Sequence, residues 1–176
     1  MYKPTKRFFN TVNIASRLHR NQVRKDKEET PYISHLFGVA MLLADVTEDE
    51  DVVLAGLMHD TLEDVPDYTY ENLLKDCGAR VADFVKNVTE EKHLPYKERK
   101  MAYLSNIKES DNQSLIISVA DKLHNAMSFH SMNNNHKHDG HFILYKEILK
   151  IAESKIDKKS KEWDLVKKLK EELSHE

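Results

Sequence analysis

The chain has 176 residues, a formal net charge of −3 and one cysteine, Cys77. That length suffices for one domain with a substantial core. The charge argues against a dedicated nucleic-acid binder, which needs a broad excess of Lys and Arg, and a lone cysteine excludes an intrachain disulfide. With only four glycines, four prolines, recurrent helix formers and few period-two runs, the composition predicts an all-α fold. No Pro/Gly/Ser-rich linker divides it, so residues 1–176 read as a single domain. No apolar run is long enough to span a membrane, and the polar start Met1-Tyr2-Lys3-Pro4 lacks a secretory core, so the expectation is a soluble cytoplasmic protein with no membrane partner.

From about Thr5 to His19, Phe8, Val12, Ala15 and Leu18 recur at helical spacing and predict a first amphipathic helix. The segment from Arg20 to Thr30 mixes Arg24, Lys25 and Lys27 with Asp26, Glu28 and Glu29, the composition of a solvated loop. Its alternative reading is that Arg24 and Lys25 meet an anionic ligand, since arginine forks around phosphate or stacks on a flat base. Pro31-Tyr32-Ile33-Ser34 then reads as an extended entry, with Ser34 as N-cap, to a helix with core face Leu36, Val39, Ala40 and Leu43. His35 falls in its first turn, and neutral imidazole is a common transition-metal ligand.

The next stretch, Leu54 to Asp64, carries His59, Asp60, Glu63 and Asp64 on an apolar helical pattern that Thr47-Glu48-Asp49-Glu50 opens with a capping box. Read as one helix, it places Glu63 a turn beyond His59 and Asp64 a turn beyond Asp60, opposite Leu54, Leu57, Met58 and Leu62. A His-Asp pair in isolation is usually just two solvated side chains on a helix. Carboxylates facing a cleft are costly to desolvate, however, and a metal ion resolves that cost.

Val65-Pro66-Asp67 ends the run; Thr69 caps a short helix through Asp76 that Gly78 terminates, and Val81, Phe84, Val85 and Val88 continue the core. The polar Glu90 to Pro95 stretch leads to a helix anchored by Tyr103 and Ile107. Leu115 to Ala120 is apolar enough to be buried and delivers Asp121, followed by Lys122-Leu123-His124-Asn125. Asp121 and Asn125 share a helical face, so one could hold a metal while the other fixes water or substrate; the plainer alternative is a buried Asp paired with Lys122 or His124. His136, His138 and His141 on a polar segment have no fixed geometry and no Cys partner, which ranks a second metal site low. Two packing helices follow over about 140–175, outlined by Phe142, Tyr145, Leu149 and Ala152, then Trp163, Val166, Leu169 and Leu173.

Asn21-Gln22-Val23-Arg24-Lys25, Pro31-Tyr32-Ile33-Ser34-His35, Leu57 to Asp64, Val88-Thr89 and Ala120 to Asn125 occur in this order over a motif-bearing core of about 5–132. In that order the chain resembles the HD-domain phosphohydrolases, and within them the hydrolase half of the RelA/SpoT alarmone enzymes and their small stand-alone relatives. The resemblance implies that His35, His59, Asp60 and Asp121 hold one divalent metal, usually Mn²⁺, while Glu63 and Asp64 position and activate the attacking water. It also implies that Arg24 approaches a guanine base, that Lys25 and Asn125 lie near the nucleotide, and that Ser128 stands where a ribose-side threonine is common. Leu36, Asp26 and Met127 depart from the family's usual proline, small residue and arginine. The expectation is a stand-alone hydrolase without a synthetase domain.

The implied function is Mn²⁺-dependent 3′-pyrophosphohydrolysis of guanosine tetra- or pentaphosphate, with a guanine nucleotide alarmone as the partner. The alternatives are another HD-type nucleotide hydrolase, such as a nucleotidase or NADPH phosphatase, and a regulatory module that binds nucleotide without turnover. The intact Glu63-Asp64 pair speaks against the last.

Overall fold

Ten helices form among the described residues, with no strand beyond an isolated antiparallel bridge between Val23 and Pro31. The structure, a computed structural model, describes residues 2–128 and 138–174, with side chains from 141 onward in the second segment. His136 therefore lies outside the described residues, as does the side chain of His138.

Helix α1 (Lys6–Leu18) starts where Thr5 accepts from the amide of Arg7, and buries Phe8, Thr11 and Ala15. Helix α2 (Ile33–Val46) does not use Ser34 as its cap. The backbone is already helical at Tyr32, so Ser34 lies inside the first turn, exposed, and His35 points into the protein. Helix α3 (Glu50–Met58) is capped by Asp49, whose carboxylate accepts from the amide of Asp51; Thr47 supports that cap by accepting from the amide of Asp49. Every residue from Val52 to Met58 is buried, so α3 is a fully enclosed helix rather than an amphipathic one.

The expected continuous helix to Asp64 is broken. After α3 the chain turns at His59 and Asp60, then makes the single turn α4 (Thr61–Asp64). Two side chains take carbonyls at this point: Nδ1 of His59 donates to Gly56 at 2.8 Å, and Oγ1 of Thr61 donates to Met58 at 2.6 Å. Such local side-chain bonds compete with the backbone ladder. Thr61 is buried and Leu62 only partly so, the reverse of what an uninterrupted stripe predicts.

Helix α5 (Tyr70–Cys77) carries the expected Thr69 cap as a full box with Asn72, and ends at Gly78, whose φ of 90° suits a residue without a Cβ. Helices α6 (Ala79–Val88) and α7 (Tyr96–Glu109) bury Val81, Phe84, Val85 and Val88, then Tyr103 and Ile107, as their spacing predicts. Helix α8 (Asn112–Met127) is buried continuously from Ser114 to Leu123 and packs against α2, α3, α6 and α7. Helices α9 (His138–Lys155) and α10 (Trp163–Glu172) cover its other side. The core cluster runs from Phe8 to Leu173 through all these layers. No helix among the described residues is long and apolar enough to cross a membrane.

Candidate metal centre and flanking acids

Because α8 is buried continuously from Ser114 to Leu123, it carries Asp121 into the interior, where α2 brings His35 and the turn after α3 brings His59. One potential ligand atom from each of His35, His59 and Asp121 lies within 4.8 Å of the other two, and all three residues are buried. Nε2 of His35 is 3.2 Å and Nε2 of His59 is 3.6 Å from Oδ1 of Asp121. Asp60 joins from the broken turn, its Oδ2 lying 3.1 Å from Nε2 of His59 and 3.7 Å from Nε2 of His35.

Both Nε2 atoms are buried and make no hydrogen bond. Buried polar atoms are normally paired, and two imidazole nitrogens converging on two carboxylates match the mixed N/O donor set of a divalent transition metal. The spacings also fit: ligands bonded at ~2.1 Å and right angles to a shared ion sit roughly 3 Å apart. The residues present therefore suit a divalent cation.

The surrounding contacts orient the set. Tyr32 donates its hydroxyl to Oδ2 of Asp60 at 2.6 Å, and Asn125 donates to Oδ1 of Asp121 at 2.7 Å. The ammonium of Lys122 pairs with Oδ2 of Asp121 at 2.5 Å, so the plainer expectation for this aspartate holds alongside the metal-like geometry. Burial favours the neutral acid at Asp121, yet Lys122 and the two histidines outweigh it and hold the carboxyl well below its ordinary range. At His59 burial opposes protonation, but Asp60 and Asp121 prevail and raise the pKa. At His35 burial wins over Asp121 and lowers it.

Glu63 and Asp64 flank this centre on α4. Burial, then the charges of Asp60 and Glu90, push the Glu63 carboxyl up to about 7, and Oε2 accepts from the amide of Glu90. Asp64 accepts from Nε2 of Gln22 at 2.7 Å and from the ammonium of Lys92, which also lies 3.6 Å from Glu63. The Glu90 to Pro95 connection thus borders the acids. Glu90 itself is buried between Arg99 (3.1 Å) and Lys100 (2.5 Å). Sequence reasoning gave no role to Gln22, Tyr32, Glu90 or Lys92; Gln22 and Tyr32 sat inside recognised motifs, whereas nothing about Lys92 separates it from other charged loop residues.

The expected nucleotide side divides. Arg24 donates to Oδ1 of Asn125 at 2.8 Å and lies 5.7 Å from the Tyr32 ring centroid, so the Arg20 to Thr30 loop turns this guanidinium back toward α8. Lys25 is exposed, and Ser128 at the end of α8 donates to the carbonyl of His124 at 2.9 Å. Of the histidine-rich segment, His141 packs edge-on to Tyr145 at 6.2 Å.

A profile of the HD domain matches residues 11–151. The chain belongs to the HD-domain family, with an all-α fold. Among its relatives, guanosine-3′,5′-bis(diphosphate) 3′-pyrophosphohydrolase MESH1 of Danio rerio is 44% identical over 117 residues, covering 65% of this chain and 64% of that protein. The Homo sapiens protein of the same name is 40% identical over 116 residues, covering 65% and 64%. The matched part therefore spans a little under two thirds of these relatives' length. A solved structure described as "A metazoan ortholog of SpoT hydrolyzes ppGpp and plays a role in starvation responses" superposes with a TM-score of 0.86 at 30% identity, covering 99% of this chain and 98% of that one.

Proposed function

We propose that this chain is a metal-dependent 3′-pyrophosphohydrolase of guanosine tetra- and pentaphosphate, releasing pyrophosphate and leaving GDP or GTP. The observation that carries the reading is the pair of unbonded, buried Nε2 atoms of His35 and His59 facing Asp121, with the raised carboxyl of Glu63 alongside. The activity named for the MESH1 relatives and the neighbouring SpoT-type structure supports the choice of substrate.

In this reading His35, His59, Asp60 and Asp121 hold the ion, Mn²⁺ by preference. When bound, it would supply Lewis-acid polarisation of a phosphoryl oxygen. Glu63 takes a proton from the attacking water; a base with a pKa near 7 is well matched to that task at neutral pH. Asp64, fixed by Gln22 and Lys92, orients the same water. The bond from phosphorus to the ribose 3′ oxygen breaks, and the proton collected by Glu63 is available to that oxygen. Arg24 stacks on guanine, Lys25 and Asn125 meet the nucleotide's polar groups, and Ser128 lies toward the ribose. A single domain over residues 1–176 and a cytoplasmic setting, in keeping with the buried free thiol of Cys77, complete the reading.

A substrate panel tests it. Guanosine tetraphosphate should be turned over while simple 5′-nucleotides and NADPH are spared; preferential turnover of either of the latter would replace this reading with a nucleotidase or an NADPH phosphatase. Binding of guanosine tetraphosphate with no product would instead identify a regulatory module.

A further inference from the structure

Nδ1 of His35 lies 3.0 Å from Nδ1 of His124, with the rings meeting edge to face at 4.9 Å. A hydrogen bond between two ring nitrogens needs one proton: both protonated they repel, and with neither protonated there is no donor. Whichever ring holds that proton decides what the far side of His35 can do. A neutral imidazole carries one proton, so a proton on Nδ1 leaves Nε2 as a lone pair, while a bare Nδ1 puts the proton on Nε2. Nε2 is the buried, unbonded atom that faces Asp121.

The fold leaves room for the His124 ring at this contact. The α2 residue passing its ring is Gly38, and a Cβ added there would overlap Nε2 and Cδ2 of His124. The other candidate ligand, His59, meets the same need in the ordinary way, donating from Nδ1 to the carbonyl of Gly56 at 2.8 Å. A ligating histidine generally donates its second N–H to an outer partner that sets its tautomer and orientation.

We propose that His124 is the positioning residue of His35, accepting the Nδ1 proton so that Nε2 of His35 faces the centre as a bare donor to a divalent cation. His124 then carries its own proton on Nε2. The inference rests on the metal reading above, and the experiment separates the two. The full chain, labelled with ¹⁵N at histidine and loaded with diamagnetic Zn²⁺, is observed by long-range ¹H–¹⁵N correlation, and Mn²⁺ affinity is titrated for wild type, His124→Phe and His124→Gln. The expected spectrum has His35 protonated at Nδ1 and His124 at Nε2. His124→Phe should lose affinity about 10–100-fold, and His124→Gln, whose carbonyl can accept, should recover part of it. Unchanged affinity in a folded His124→Phe, or a proton on Nδ1 of His124 with Nδ1 of His35 bare, would overturn the inference and leave the metal reading standing. A wild-type chain that takes up neither ion would overturn both. If His124→Phe fails to fold, the wild-type spectrum decides alone.

Discussion

Arg24 and Asn125, 101 positions apart, are joined by a 2.8 Å hydrogen bond from Nη2 to Oδ1, and Asn125 in turn donates to Asp121. The loop expected to meet the nucleotide is thereby tied to the helix that carries a candidate ligand. In the proposed enzyme Arg24→Ala should raise KM with little change in metal content. A guanidinium on the face of a flat ring is worth about 0.5–2 kcal/mol, so KM should rise roughly two- to thirtyfold. Steady-state kinetics paired with metal analysis checks this; equal loss of metal and substrate affinity would place Arg24 in the scaffold instead.

Asp121→Ala removes a candidate ligand and strands a buried ammonium. Lys122 is 8% exposed and pairs with Asp121. Breaking such a buried pair costs about 3–5 kcal/mol. The variant should bind no metal, show no turnover and unfold at distinctly lower urea concentration, whereas loss of activity at wild-type stability would contradict the buried-pair account.

Metal affinity should depend on pH through His59. Asp60 and Asp121 overcome burial and raise its pKa, so protons compete with a cation for this imidazole. Affinity should therefore weaken as pH falls, with protons released on loading. Calorimetry in buffers of different ionisation enthalpy measures that release, and none at neutral pH would argue against His59 as a ligand.

Glu63→Gln should keep the metal and reduce turnover about 10²–10⁴-fold. With the wild-type carboxyl pushed up to about 7, activity should fall as pH drops through that value, since only the carboxylate can accept a proton. The stability effect has the opposite sign: the folded chain holds this proton more tightly than the unfolded one, so the contribution is present below the ordinary value of 4.5 and is lost as pH rises through about 7. The Lys92 ammonium draws the Glu63 pKa down, and Lys92→Met should move the acidic limb of the rate profile to higher pH. A limb that stays in place would detach Lys92 from the acid.

Much of this arrangement was legible in the residues. The apolar run ahead of Asp121 predicted a buried helix delivering an acid, and His35 fell in the first turn of α2 as read. The break at His59 was not legible, because His, Asp and Thr are all tolerated in helices. Only the fold shows His59 and Thr61 taking the carbonyls of Gly56 and Met58. That break brings His59 and Asp60 to face one another at 3.1 Å, where a straight helix would have set them about 100° apart. Ser34 misled for a related reason: cap propensity is local, while Tyr32 is already helical and bonded to Asp60. Lys92 and Gln22 reach Asp64 across 28 and 42 positions, distances at which residue type carries no pairing information.

The central claim is most directly tested by which bond is cut. The purified chain, stripped of metal and reloaded with Mn²⁺, is given guanosine tetraphosphate and followed by phosphorus NMR with anion-exchange chromatography. Equal amounts of GDP and intact pyrophosphate, appearing only with metal, are expected from attack at the 3′-diphosphate. Orthophosphate as the sole primary product, or a tetraphosphate left untouched while 5′-nucleotides are consumed, would contradict it.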